Sequence, residues 1–265
     1  MRNKLSLILL FIFILSNAIL GQFNKSEFLY RCKTIYHSLR LSGLDNFSSW
    51  VTSDIFLEAT KDISDEEIYP LEIIWKNPNR MYYIKRPLPQ VDNMEKQKEI
   101  QQLQLNMVQV LQGLLIDWQR FLAGNILDDL PDTYLISTQK DTVVFQYESF
   151  ESGKNIKVKI LFGMNGLCLK IITTDTDKNE ITHIYPAYTL VDDKWICNGW
   201  TVQIYQNGIV ESGFQVSMKS RKLENFWIPQ RLTLALQKKE IENSIFYREY
   251  IFKNVVLNKD LEIIK

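Results

Sequence analysis

Histidine is the side chain best suited to acid–base catalysis near neutral pH, and this sequence has two, His37 and His183. A hydrolase would need one of them within hydrogen-bond reach of both a nucleophile and a carboxylate. No Gly-x-Ser-x-Gly elbow, His-Glu-x-x-His, Cys-x-x-Cys or Gly-x-Gly-x-x-Gly motif accompanies them. The sequence therefore predicts a non-enzymatic protein without catalytic residues. A triad assembled from distant segments leaves a secreted hydrolase open as an alternative.

A calcium loop is the metal site that the sequence comes nearest to. Asp175, Asp177 and Asn179 have the spacing that opens such a loop. Glu180, however, stands where the loop requires glycine, and Pro186 stands where its closing bidentate glutamate belongs. A solvated turn explains these residues better, and we expect no metal and no cofactor.

The three cysteines are Cys32, Cys168 and Cys197. An odd number leaves at least one thiol without a partner in the same chain. A Cys168–Cys197 disulfide is one possibility, if neighbouring strands bring the two Cα atoms within about 4 to 7 Å. Three buried core thiols are the alternative, which we favour because free cysteine is among the most buried residue types.

The beginning of the chain has the order of charged, apolar and small residues that is typical of a secretory signal peptide. Two basic residues stand in the first four positions, the apolar run 5–15 follows, and candidate cleavage sites come after Ala18 or Gly21. The run is shorter than the roughly 20 apolar residues that a membrane-spanning helix needs. We therefore predict that residues 1–21 are a signal peptide. The protein is expected to be exported, periplasmic or extracellular, and soluble after the leader is removed.

The charge of the chain is balanced, with 31 basic and 31 acidic residues. Because the leader contains two of the basic residues and no acid, the mature chain is slightly acidic, which gives no electrostatic basis for binding nucleic acid. No Pro-, Gly- or Ser-rich linker and no internal repeat divides the sequence. We expect residues 22–265 to form a single β-rich domain.

Two helices and several strands are predicted in the first half. Residues 26–41 have helical periodicity, with Ser26 as the predicted cap and Gly43 as the stop. A second, longer helix is predicted from a capping box at Asp92 to Gly124. Its apolar stripe consists of Ile100, Leu103, Met107, Leu111, Leu114, Trp118 and Phe121. Strand-like segments are 54–58, 68–75 and 81–85.

The second half alternates apolar and polar residues with the period of two that is typical of half-buried strands, as in Ile156, Val158 and Ile160. Residues that accept positive φ separate these segments, at Asn165-Gly166, 175–179 and Asn207-Gly208. This pattern predicts antiparallel strands joined by tight hairpins. A long sheet must cover its apolar face, and the helices are the elements available to do so. We therefore expect an α+β fold with a curved antiparallel sheet or incomplete β-barrel covering helices.

Two blocks of the sequence resemble a known family. Residues 74–83, Ile-Trp-Lys-Asn-Pro-Asn-Arg-Met-Tyr-Tyr, resemble the strand pair of the LolA-like periplasmic lipoprotein carriers, where an aromatic residue, a turn proline and an aromatic strand recur. Residues 159–162, then Asn165-Gly166-Leu167 and Ile171, are similar to the central hairpin of that family. The helix ending at Gly124 lies between the two blocks, as the family order requires. The specific motif covers about ten residues.

The resemblance implies an incomplete barrel whose apolar cavity shields the acyl chain of a lipid or lipoprotein and performs no chemistry. The cavity candidates are Trp75, Met107, Leu111, Leu114, Trp118 and Phe121. In the lipoprotein carrier itself an arginine that is important for passing on the cargo precedes the turn proline. Asn77 occupies that position here, so the sequence departs from the family pattern at the residue linked to the transfer step, while the fold that the resemblance implies is unaffected.

A helical stripe at this spacing is most often ordinary core packing. One alternative is therefore an envelope structural or protein-interaction module with a filled core, whose partner is another envelope protein. The secreted hydrolase is the other. An open apolar cavity beside the long helix would favour a carrier, and a filled core would favour the interaction module.

Overall fold

The structure is a computed structural model that describes residues 23–128, 130–151, 154–237 and 245–258. The signal peptide predicted for residues 1–21 lies outside the described residues. Within the described part of the chain, no helix has the length and apolar character needed to cross a membrane.

Twelve strands in the described residues form one antiparallel sheet that is curved and unclosed. They are β1 (Asn46–Ser53), β2 (Leu71–Lys76), β3 (Arg80–Lys85), β4 (Leu135–Gln139), β5 (Thr142–Glu151), β6 (Lys154–Gly163), β7 (Cys168–Asp175), β8 (Glu180–Val191), β9 (Lys194–Gln206), β10 (Ile209–Leu223), β11 (Phe226–Gln237) and β12 (Ile245–Leu257). From β4 to β12 the strands pair in chain order, and β1, β2 and β3 extend the sheet beyond β12. The edges are β3 and β4. This architecture confirms the expected α+β fold with a curved antiparallel sheet.

The predicted hairpin turns are confirmed. Gly166 has φ of 88°, and Asn207 and Gly208 have φ of 51° and 79°. The turn 175–179 joins β7 to β8, with Asn179 at φ 53°. Two successive residues with positive φ match the right-handed twist of the flanking strands, which is why Asn-Gly predicts such turns well.

The first helix, α1 (Lys25–Thr34), is shorter than the predicted helix 26–41. Its N-cap is Asn24 rather than the expected Ser26, and the Asn24 side chain accepts a hydrogen bond from the backbone N–H of Glu27. Asparagine and serine are both favoured N-cap residues, so residue type alone did not show at which of the two the helix begins.

Tertiary pairing ends α1 early. The backbone N–H of Trp195 donates to the Ile35 carbonyl over 2.7 Å, and the N–H of His37 donates to the Trp195 carbonyl over 2.8 Å. These bonds to the beginning of β9 replace the helical bonds that residues after Thr34 would otherwise make. The predicted helix 26–41 included His37, and this part of the prediction was therefore wrong, whereas His183 lies on β8.

The segment 54–58 was predicted as a strand, and this prediction was wrong. It forms the short helix α2 (Asp54–Thr60). The hydroxyl of Ser53, the last residue of β1, accepts a hydrogen bond from the N–H of Phe56, and Asp54 stands in the first turn. A capping hydroxyl followed by an acid favours a helix start, and this signal outweighed five residues of apparent alternation.

The predicted long helix is confirmed as α3 (Met94–Trp118), which continues through a π-helical turn (Gln119–Ala123) to Gly124. Its N-cap is Asn93, whose side chain accepts from two backbone N–H groups, rather than Asp92. The buried residues of α3 are Ile100, Gln104, Met107, Leu111, Leu114, Leu115 and Trp118. The predicted stripe is therefore the face that packs inward.

All three cysteines are free and buried. The possible Cys168–Cys197 disulfide does not form, and the alternative of core thiols is confirmed. The order of strands gives the reason, because β8 lies between β7, which contains Cys168, and β9, which contains Cys197. Two strand spacings amount to about 9.5 Å, more than a disulfide spans.

Candidate functional site

The six cavity candidates come together in one hydrophobic core. Trp75 lies on β2, Phe121 lies in the π-helical turn, and the other four lie on the buried face of α3. None of the six is more than 5% exposed, and all belong to the same cluster of buried side chains. We call the sheet face that packs on α3 the inner face and the opposite one the outer face.

Aromatic rings of the inner face surround the buried end of α3. The Phe47 ring on β1 lies 6.1 Å from the Trp75 ring in a stacked arrangement and 5.8 Å from the Trp118 ring edge-on. The Phe121 ring lies 6.0 Å from the Trp200 ring on β9. Sequence reasoning missed Phe47 and Trp200 as members of the site. Period-two alternation predicted strands in the half of the chain that contains Trp200, but Phe47 lay outside every predicted strand, and the pattern did not show that either strand faces the helix.

Three indole N–H groups are buried in this interior. The Nε1 atoms of Trp75, Trp118 and Trp200 have no acceptor among the described residues. A buried donor without a partner costs roughly 1 to 3 kcal/mol, so these groups reduce the stability of the packed state. A polar group that entered between α3 and the sheet would meet unpaired donors there.

One buried amide fixes α3 to the sheet through hydrogen bonds. The Gln104 side chain donates to the Pro70 carbonyl over 2.8 Å and to the Arg86 carbonyl over 2.9 Å, beside the end of the β2–β3 ladder. Tyr83 on β3 also donates from its hydroxyl to the Leu111 carbonyl, at the long distance of 3.5 Å. Burial raises the pKa of Tyr83 to about 12.

Depressions in the described surface lie away from most of the six candidates. One of about 470 Å³, beside the first half of α3, is lined by Lys85, Arg86 and several glutamines, and one of about 320 Å³ lies on the outer face over β9 and β10. Neither includes a cavity candidate. Phe121 borders a space of about 10 Å³, enough for about one water molecule. In this structure α3 covers part of the inner face, and α1 covers another part, where the Phe28 ring lies 6.2 Å from the Phe145 ring on β5 and 6.1 Å from the Phe162 ring on β6.

The two histidines make other contacts than a catalytic triad requires. The Nε2 of His37 lies 2.9 Å from the Val191 carbonyl oxygen, and the Nδ1 of His183 lies 3.3 Å from the Tyr185 hydroxyl. Burial, with the nearby Lys170 ammonium, lowers the pKa of His183. Within residues 23–258, outside the gaps named above, neither histidine is hydrogen bonded to both a nucleophile and a carboxylate.

The calcium-like spacing at 175–179 forms a turn. The Asp175 carboxylate accepts hydrogen bonds from the backbone N–H groups of Asp177 and Lys178, both at 3.1 Å. These bonds stabilise the β7–β8 hairpin. No group of three or more His, Cys, Asp or Glu side chains that could hold a metal occurs among the described residues.

Asp117 is a largely buried acid that lies one residue before Trp118. Its carboxylate accepts a hydrogen bond from Arg120 over 2.7 Å, on the next turn of the helix. Burial raises the pKa of Asp117, and the Arg120 charge acts in the opposite direction. The ion pair compensates the buried charge at the end of α3.

Comparison with known proteins gives no relative. No protein-family model, no curated protein and no solved structure matches the chain.

Proposed function

We propose that this protein is an exported, non-enzymatic carrier or binder of lipid or lipoprotein acyl chains, of the LolA-like type, acting in the periplasm or outside the cell. The observation that supports the proposal is that the apolar inner face belongs to an unclosed sheet and is covered by helices, α3 over part of it and α1 over β5 and β6, so that the filled core corresponds to the state without ligand. Moving α3 away would expose a continuous apolar surface of the kind that binds hydrocarbon without specific polar contacts.

The proposal requires α3 to be displaceable, because the six candidate residues are packed against the sheet. Gln104 and Tyr83 provide the side-chain hydrogen bonds described between α3 and the β2–β3 region. The remaining attraction is burial of apolar surface, which a hydrocarbon chain replaces with similar contacts. An acyl chain that takes the place of the helix would restore the apolar contacts, and the hydrogen bonds of Gln104 and Tyr83 are the polar interactions lost in the exchange.

The experiment is a titration of the mature chain, residues 22–265, with a fluorescent fatty acid and with a diacylated lipopeptide. Binding at micromolar concentration is expected. Methyl-labelled methionine provides a site-specific signal, since Met107 is buried on the inner face of α3 whereas Met94 at its first turn is 71% exposed. The Met107 methyl resonance should shift on binding, and the Met94 resonance should stay.

A pair of variants on the same helix tests where the ligand binds. Leu114→Lys places a charge on the inner face, which is costly in an apolar environment and should abolish binding. Ile116→Lys is the matched control because Ile116 is 59% exposed, and it should bind as the wild type does. Both variants need a cooperative thermal transition before their binding is compared. Equal binding by the two variants would contradict the inner-face site.

The filled core favours a second candidate, an envelope structural or protein-interaction module of the same architecture. Its interior would serve stability alone, and its partner would be another envelope protein. A wild-type protein that binds neither amphiphile at about 100 μM, with an unchanged Met107 resonance, leaves this candidate in place of the carrier.

A further inference from the structure

A second hollow lies on the outer face, on the opposite side of the sheet from α3. It has a volume of about 320 Å³ and is lined by residues of β9, β10, β11 and the first residue of β12, among them Thr201, Gln203, Glu211, Gly213, Gln215 and Ala235. Its size lies at the lower end of the range of ligand sites. Because it opens on the other face, an acyl chain against α3 would not occupy it.

Gly213 forms the floor of this hollow, at a position where the backbone of β9 comes too close for a side chain. A Cβ at Gly213 would lie 2.8 Å from the Val202 carbonyl oxygen on β9, closer than real Cβ atoms come. The strands approach next to a β-bulge, where the register shifts between Val210 and Ser212. Glycine here and the small Ala235 on β11 leave open space in a face otherwise covered by side chains.

An oriented amide forms one wall. Gln203 lies directly opposite Gly213 on β9, and its Oε1 accepts a hydrogen bond from the Tyr205 hydroxyl over 2.9 Å. The Tyr205 ring packs 4.5 Å from the His183 ring, which holds the tyrosine in place. The bond to Tyr205 uses one lone pair of the Gln203 oxygen, and its NH₂ group is the donor that the side chain offers to a ligand.

Further polar groups line the hollow, and one exposed aromatic residue neighbours it. Thr201 and Gln215 form a cross-strand pair on the outer face, and Gln215 also pairs with Ala235. Tyr247 on β12 lies outside the lining itself, but it is directly opposite the lining residue Ala235 and is 59% exposed. Amide and hydroxyl groups beside a solvent-exposed aromatic ring combine hydrogen bonding with an apolar stacking surface.

The charge and the mixed polarity of the lining indicate the class of ligand. Glu211 is the charged side chain among the described residues that line the hollow, and Val210, Phe214 and Ile245 are apolar members of the same lining. The carboxylate repels anions, and amides, hydroxyls and apolar side chains together match a ligand that has both hydroxyl groups and apolar C–H faces. We infer that the hollow binds a neutral saccharide. The Glu211 carboxylate and the Gln203 and Gln215 amides bond its hydroxyl groups, and the Tyr247 ring stacks on its C–H face.

The test uses isothermal titration of the mature chain with three neutral probes, maltotriose, cellotriose and tri-N-acetylglucosamine, and with trialanine as a peptide probe. One of the saccharides should bind with a dissociation constant of about 1 mM or tighter. Gln215→Ala and Tyr247→Ala should each weaken that binding by about tenfold. Both side chains are exposed, so the variants are expected to fold like the wild type.

Matched controls separate the hollow from a general effect of surface substitutions. Gln146→Ala changes an exposed glutamine on β5, and Tyr30→Ala changes an exposed tyrosine on α1; both should bind the saccharide like the wild type. The inference is overturned if none of the three saccharides binds below about 20 mM, or if Gln215→Ala and Tyr247→Ala bind like the controls. Binding of trialanine in place of the saccharides would overturn it too and would identify a peptide site.

Discussion

At the scale of single residues, Gln104 has an unusual role for a polar side chain. It is buried on α3 and donates to two carbonyl groups beside the end of the β2–β3 ladder, where the Arg86 N–H also donates to the Pro70 carbonyl. Buried polar groups of this kind specify one arrangement of the elements they join. Gln104 therefore sets the position of α3 on the sheet, while the apolar stripe supplies most of the stabilisation.

Replacing Gln104 with leucine should lower the free energy of unfolding by about 1 to 3 kcal/mol, because the Arg86 carbonyl loses its side-chain donor in a buried place. Gln101→Leu is the matched control on the same helix, at an exposed position, and should change stability by less than about 0.5 kcal/mol. Urea denaturation followed by circular dichroism measures both. Equal midpoints for the two variants would show that Gln104 does not fix the helix.

At the scale of elements, α3 contains a glycine that its helical structure does not require. Gly113 lies in the interior of the helix on an exposed position, and a Cβ there would meet nothing within 4 Å. Glycine loses more conformational freedom than alanine when a helix forms. Gly208 in the β9–β10 hairpin differs from Gly113. Its φ of 79° lies in the left-handed region, so an alanine at this position would be strained.

Gly113→Ala should therefore stabilise the protein by about 0.5 to 1 kcal/mol. Gly208→Ala should destabilise it by about 1 to 2 kcal/mol, since an L-residue pays for the left-handed conformation. Neither new methyl group contacts another atom within 4 Å, so the two changes differ in backbone conformation and not in packing. Thermal melts of both variants measure the sign, and a shift of both midpoints in the same direction would contradict this account.

At the scale of the whole molecule, the interior combines a filled apolar core with several buried weak acids. Burial raises the pKa of Cys32, Cys197 and Tyr250 to about 12 in each case. In the unfolded chain these groups ionise at their ordinary, lower pKa values. Between the two values the native state holds more protons than the unfolded state, so stability falls as pH rises.

These groups should therefore leave the free energy of unfolding unchanged below about pH 8. They should lower it progressively between about pH 9 and 12. Each proton of difference contributes a slope of about 1.4 kcal/mol per pH unit. Cys32→Ala should flatten this alkaline slope because one ionising group is removed. Urea midpoints measured from pH 7 to 11 give the comparison, and a midpoint that stays constant to pH 11 would contradict it.

The sequence by itself determined the elements whose signals are local. The α3 helix followed from a stripe of apolar residues over about six turns, and the hairpins at Asn165-Gly166 and Asn207-Gly208 followed from residues that accept positive φ. The antiparallel sheet followed from period-two alternation between these turns. Five of the six cavity candidates were found through the α3 stripe, since one face of a helix must be buried together.

Tertiary structure alone decided the features that depend on contacts between distant segments. The end of α1 was set by backbone bonds to Trp195, and the free state of Cys168 and Cys197 was set by β8 lying between their strands. Whether the inner face is open or filled depends on how closely α3 packs, which periodicity does not encode. The outer hollow joins side chains from four strands, and their register is fixed by pairing across the whole sheet.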